Sequence, residues 1–109
     1  MKIAFDWQGT LDSYGELRKI AEDLLKEGWE VIIVSAMPIT QRDVREAEIK
    51  RNSDLPFAVV YHEIENYHKS AGEAKIKYLK EHGINFIIDD DPEVCKTMKD
   101  AGITVLQVI

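Results

Sequence analysis

Apolar residues along this chain fall into short, nearly unbroken runs that alternate with longer stretches of helical spacing. The runs are Lys2–Phe5, EVIIV at Glu30–Val34, FAVVY at Phe57–Tyr61, Phe86–Ile88 with Asn85 as an extension, and ITVLQV at Ile103–Val108. Near-continuous apolar runs are what strands buried on both faces require. Five of them separated by helical segments predict an α/β fold with a mainly parallel sheet.

The helical stretches carry their own punctuation. Leu17, Ile20, Ala21, Leu24 and Leu25 recur at i, i+3, i+4, i+7 and i+8, and Gly28 follows as a stop. Met37-Pro38 reads as a turn into a weaker helix from Gln41 to Arg51, with Val44 and Ala47 as its inner face. Ser70 and Glu73 form an S-x-x-E capping box that opens a helix to His82, with Gly83 after it. Its inner stripe runs Ala71, Ala74, Tyr78, Leu79 and His82. Asp91-Pro92-Glu93 supplies an N-cap, a proline at the first helical position and an acidic first turn, and that helix ends before Gly102.

With 109 residues the natural expectation is one domain over 1–109. No apolar run approaches the roughly 18 residues of a membrane span. The strand-like start MKIAFDW resembles no leader peptide. The single cysteine, Cys95, excludes an internal disulfide and fits a reducing cytoplasm, the expected location. A formal charge of −6 argues against wide non-specific contact with nucleic acid. It leaves room for a phosphorylated substrate, because a bound metal inverts the local field.

In an open parallel sheet, ligands bind beyond the carboxyl ends of the strands. Strand 1 delivers Asp6 there, strand 2 delivers Ser35, and strand 4 delivers Asp89, Asp90 and Asp91. Clustered carboxylates repel one another unless a cation or shared protons offset the charge. Mg²⁺, a hard cation with oxygen ligands, suits such a cluster. Asp91 is best explained as a plain N-cap, and residues of this kind also follow strands simply to make turns. Spacing alone leaves the metal site and the turn chemistry both open.

The stretch I-A-F-D-W-Q-G-T-L resembles the first motif of the haloacid dehalogenase-like superfamily, an apolar strand ending in D-x-D-G-T. V-I-I-V-S resembles its second motif, and F-I-I-D-D-D-P its fourth. The resemblance spans nearly the whole chain. It implies a Rossmann-like three-layer sandwich with strand order 3-2-1-4-5 and an Mg²⁺-dependent phosphohydrolase. Asp6 would be the nucleophile and Ser35 the hydroxyl that holds a phosphate oxygen, with Gly9 and Thr10 beside them. Asp6, Asp89, Asp90 and the backbone carbonyl of Gln8 would hold the metal. The family's phosphate-neutralising lysine has two candidates, Lys69 and Lys75. Lys75 is preferred because it lies four residues after Ala71, on the inner stripe.

The chain departs from the family at two points. The second acid of the first motif, which protonates the leaving group, is Gln8 here. Glutamine cannot exchange a proton near neutral pH, and loss of a general acid costs on the order of 10²–10⁴ in rate. There is also no room for a cap after strand 1 or strand 3. An open site of this kind accepts a large substrate, or is covered by a second subunit in a homodimer. Two functions therefore stand: a phosphohydrolase working through an aspartyl-phosphate, and an impaired domain that keeps the metal and phosphate site for binding. A phospho-acceptor receiver domain fits poorly, since there the acid pair follows strand 1.

The remaining polar and aromatic residues read more plainly. His62 and His68 are expected in a loop bordering the active edge, and His82 as a dipole partner at a helix C-terminus. Trp7 is expected to pack beside the sheet, Tyr61 and Tyr67 to line the rim, and Cys95 to sit in the core. Arg42 and Arg45, near the start of the helix after strand 2, are expected on a solvated helix face, with binding of an anionic substrate tail as the alternative.

Overall fold

Five parallel strands form one sheet, as the strand–helix alternation implies, and they pair in the order 3-2-1-4-5 that the resemblance implies. The computed structural model describes residues 1–63, 65 and 67–109. The elements run β1 (Lys2–Phe5), α1 (Gly15–Lys26), β2 (Glu30–Pro38), α2 (Arg42–Asn52), β3 (Phe57–His62), α3 (Tyr67–Glu81), β4 (Phe86–Asp89), α4 (Pro92–Asp100) and β5 (Thr104–Gln107). Among the described residues no cap interrupts them. Of the loop expected over His62–Lys69, positions 64 and 66 lie outside the described residues.

Side chains alternate across each strand, so the sheet carries a core on each face. Ile3, Phe5, Val31 and Ile33 face one way, toward Leu17, Ala21 and Leu24 of α1 and Ile49 of α2. Ala4, Val34 and Ile87 face the other way, toward Ala71 and Leu79 of α3 and Val94 and Met98 of α4. The result is three layers, with the sheet between two pairs of helices.

Several boundaries differ from the sequence pattern, each for a local reason. Pairing of β2 with β3 continues to Pro38 and His62, so Met37-Pro38 finishes a strand instead of forming a turn. His62 ends β3 and is buried, not in a loop. The α3 helix starts three residues before Ser70, whose hydroxyl donates to the Glu65 carbonyl at 3.4 Å; the expected capping box does not form. On α2, Val44 and Ala47 are exposed, and Arg45 and Ile49 make the buried face. Asp91 does cap α4, accepting from the backbone N–H groups of Glu93 and Val94.

Candidate functional site

Strand register brings the site together. Phe5 pairs with Ile33 on one side and with Ile88 on the other. The next residues, Asp6 and Asp89, therefore emerge level on adjacent strands. Because Ala4 and Ile87 point to the α3–α4 face, Asp6 and Asp89 two residues later point there too. Ser35, two residues after Ile33, goes to the opposite face, toward α2.

Beyond β1 the chain turns sharply through Trp7–Leu11. Gln8 is extended and Gly9 takes a left-handed φ of 75°, a conformation that glycine adopts without a steric penalty. The turn is held by the Gly9 N–H, which donates to Asp12 Oδ1 at 2.7 Å. Thr10, fully buried, aims its hydroxyl at Asp6 Oδ2, 3.4 Å away. Trp7 packs in the core as expected, and its indole N–H donates to Glu48 Oε1 at 3.1 Å.

Lys75 rises from α3 between the two strand-end acids. Its Nζ donates to Asp6 Oδ1 at 2.8 Å and to Asp89 Oδ2 at 2.6 Å, and the side chain is 3% exposed. Asp89 is further fixed by the backbone N–H groups of Asp90 and Asp91, at 2.7 and 3.2 Å on Oδ1. Lys69 is exposed at the start of the same helix and takes no part in this cluster.

Electrostatics at the cluster are unbalanced. Burial raises the Asp6 carboxyl above the ordinary carboxylate range; the Lys75 ammonium opposes this, and the Asp89 carboxylate adds to it. For Lys75, burial works against the ammonium, but the carboxylates of Asp6 and Asp89 outweigh it and raise its pKa. Asp6, Asp89 and Asp90 each offer a carboxylate oxygen within 4.8 Å of the others. With all three ionised, the carboxylates outnumber the Lys75 ammonium; burial and this imbalance raise the Asp6 pKa, and a cation would offset the imbalance. The all-oxygen donor set fits a hard divalent ion.

Gly9 matters to this arrangement, because a Cβ there would overlap the Asp90 carboxylate. Gly9→Ala is expected to lose about 1–2 kcal/mol of stability from the left-handed backbone alone. By displacing Asp90 it should also weaken divalent-cation binding by about tenfold or more. Urea unfolding and calorimetric Mg²⁺ titration would measure both, and unchanged Mg²⁺ affinity would refute the second.

On the α2 side, the structure departs from the expectation for Arg45. Its side chain is buried, not solvated, because three acceptors meet it. Nη1 donates to Ser35 Oγ at 2.7 Å, Nη2 to Gln8 Oε1 at 3.1 Å, and Nε pairs with Glu48 Oε2 at 3.3 Å. Arg42 stays on the surface, beside Glu46 and over the ring of Tyr61. Asp6, Gln8, Ala36, Arg45, Tyr67, Lys75 and Asp89–Asp91 line a cleft of about 210 Å³ at this edge. Ser35 is fully enclosed and does not line it.

His68 is exposed at the rim, with Nδ1 2.9 Å from Asp91 Oδ2. His82 stacks on Tyr78 just past the end of α3, far from the cleft. Cys95 is in the core; burial pushes its thiol up to about 12, which keeps it protonated and unreactive.

No protein-family model and no curated protein matches the sequence. Among solved structures, the chain is similar to one from the Pnkp1/Rnl/Hen1 RNA repair complex, with 19% identity and a TM-score of 0.71, covering 98% of this chain and 42% of that one. A chain from a second structure of the Pnkp1/Rnl/Hen1 complex gives 18% identity and a TM-score of 0.73, covering 98% and 45%. This chain thus spans less than half the length of the chains it resembles, and at such identity the likeness is one of fold.

Proposed function

We propose that this chain is a haloacid dehalogenase-like phosphohydrolase core, a single domain over residues 1–109, that uses Mg²⁺ and an aspartyl-phosphate on Asp6. The observation that carries the reading is the Lys75 ammonium held between Asp6 and Asp89 at the carboxyl edge of the sheet. The three-motif resemblance and the sheet order both support it.

In this reaction an Asp6 carboxylate oxygen attacks phosphorus in line, and the ester P–O bond breaks. Lys75 holds Asp6 Oδ1 and leaves the other oxygen, flanked by Thr10, to attack. Asp6, Asp89, Asp90 and the Gln8 carbonyl would hold Mg²⁺, which when bound offsets charge on the phosphoryl oxygens. The leaving oxygen departs with the bonding pair. Gln8 has no proton to give it, so the proton comes from water, and good leaving groups such as aryl oxides are favoured. Water then attacks the aspartyl-phosphate, releasing inorganic phosphate and restoring the carboxylate.

The side chain at position 8 also favours a second reading, a domain that binds metal and phosphate with negligible turnover. The similar chains come from an RNA repair complex, so phosphate-bearing RNA ends belong in a substrate screen. The net charge of −6 weighs against a wide nucleic-acid contact.

The purified protein is expected to hydrolyse 4-nitrophenyl phosphate with Mg²⁺ and to stop on addition of EDTA. Hydrolysis indifferent to EDTA would sink the metal-dependent reading. No hydrolysis, together with Mg²⁺-dependent phosphate binding, would establish the binding domain instead.

A further inference from the structure

The hydroxyl assigned to a phosphate oxygen by the resemblance is not where a phosphate can reach it. Ser35 Oγ is fully enclosed and is spent on Arg45 Nη1 at 2.7 Å. Arg45 lines the cleft, as Lys75 does. We infer that Arg45 is the substrate-binding cation of this cleft, taking a phosphoryl group directly, and that Ser35 is a positioning residue acting through it. This rests on the phosphohydrolase reading above and gives the phosphoryl group, not a substrate tail, to an arginine outside the family motifs.

The chemistry follows from what each partner can do. Arginine only donates, so each group around it must present an acceptor. Ser35 does so from behind and Glu48 from the helix side, at 3.3 Å. Glu48 is in turn held by the Trp7 indole N–H. These contacts fix the plane of the guanidinium. The third partner, Gln8 Oε1, reaches Nη2 at 3.1 Å from an exposed residue on the cleft wall. It is a neutral acceptor, and an entering phosphate dianion is a much stronger one for the same fork. Gln8 therefore serves as a placeholder that substrate displaces. An acid at position 8 would form a lasting ion pair with Arg45 instead, so glutamine there keeps the arginine available.

Calorimetric titration of inorganic phosphate into the Mg²⁺-loaded protein tests this without turnover. Arg45→Met should weaken phosphate at least about tenfold and leave the Mg²⁺ affinity measured without phosphate within about twofold. Arg45→Lys keeps the charge but not the fork, and should recover little of the loss. Ser35→Ala should weaken phosphate in the wild-type background and have no further effect in Arg45→Met, since its influence passes through the guanidinium. A direct Ser35–phosphate contact would instead give additive losses, and that result overturns the assignment. Equal phosphate affinity in folded Arg45→Met also overturns it, while leaving the phosphohydrolase reading intact. If wild type binds Mg²⁺ but no phosphate, that reading falls as well. Should Arg45→Met fail to fold, the wild-type Gln8 side-chain amide resonances decide: they should shift when phosphate is added, and fixed resonances refute the displacement.

Discussion

Lys75→Met is expected to lower the stability of the metal-free protein by about 3–5 kcal/mol, the range found when one partner of a buried charge pair is removed. That is a large part of the roughly 5–15 kcal/mol available to a domain. The reason lies in the charges left behind: Asp6 and Asp89, both nearly enclosed, would lose the one ammonium between them, with Asp90 close by. Millimolar Mg²⁺ should recover part of the loss, because a cation can take over the offset. Hydrolysis should fall by on the order of 10²–10³, as for removal of one charge-stabilising donor. Urea unfolding with EDTA and with Mg²⁺ measures the first two effects. A variant as stable as wild type in EDTA would mean that the lysine does not hold the cluster together.

The second large effect has the opposite sign in stability. On the proposed mechanism Asp6→Asn should reduce phosphate release by on the order of 10⁴ or more, since it removes the attacking carboxylate. It should nevertheless raise the melting temperature in EDTA, because it takes one negative charge out of a crowded cluster while Asp89 keeps its bond to Lys75. Thermal melts beside a sensitive phosphate assay give both numbers. Appreciable turnover by Asp6→Asn would remove the aspartyl-phosphate mechanism. A large fall in melting temperature would show that Asp6 is held mainly for structure.

The parts of this molecule that were legible in the sequence are those written by burial. Strands enclosed on both faces need unbroken apolar runs, so EVIIV and FAVVY announced themselves, and the sheet order followed the expectation. The placement of Lys75 toward the sheet was readable from its spacing after Ala71, although its chemical role is a proposal. Asp91 as a helix cap was readable from the proline and acid after it. The burial of Arg45 was not legible, although anion binding stood as an alternative for it. A charged residue on a helix with few apolar neighbours looks solvated, and its burial depends on Ser35 and Gln8, which arrive from two other segments, as well as on Glu48 one turn along its own helix. The early start of α3 and the length of β2 were hidden for a similar reason: long-range pairing, as between Pro38 and His62, overrides a local turn signal.

The register that sets Asp6 beside Asp89 also orders events as the chain is made. The N-terminal two-thirds supplies a first carboxylate, the arginine and its partners, and the lysine follows soon after. The second and third carboxylates enter only with β4, which adds to the open β1 edge and is enclosed once β5 pairs with it. Until that strand is in place, Lys75 has Asp6 alone to pair with and no multidentate cage exists for an ion. Cation binding would thus act late, on a sheet already closing, and would favour the finished product over any shorter nascent form.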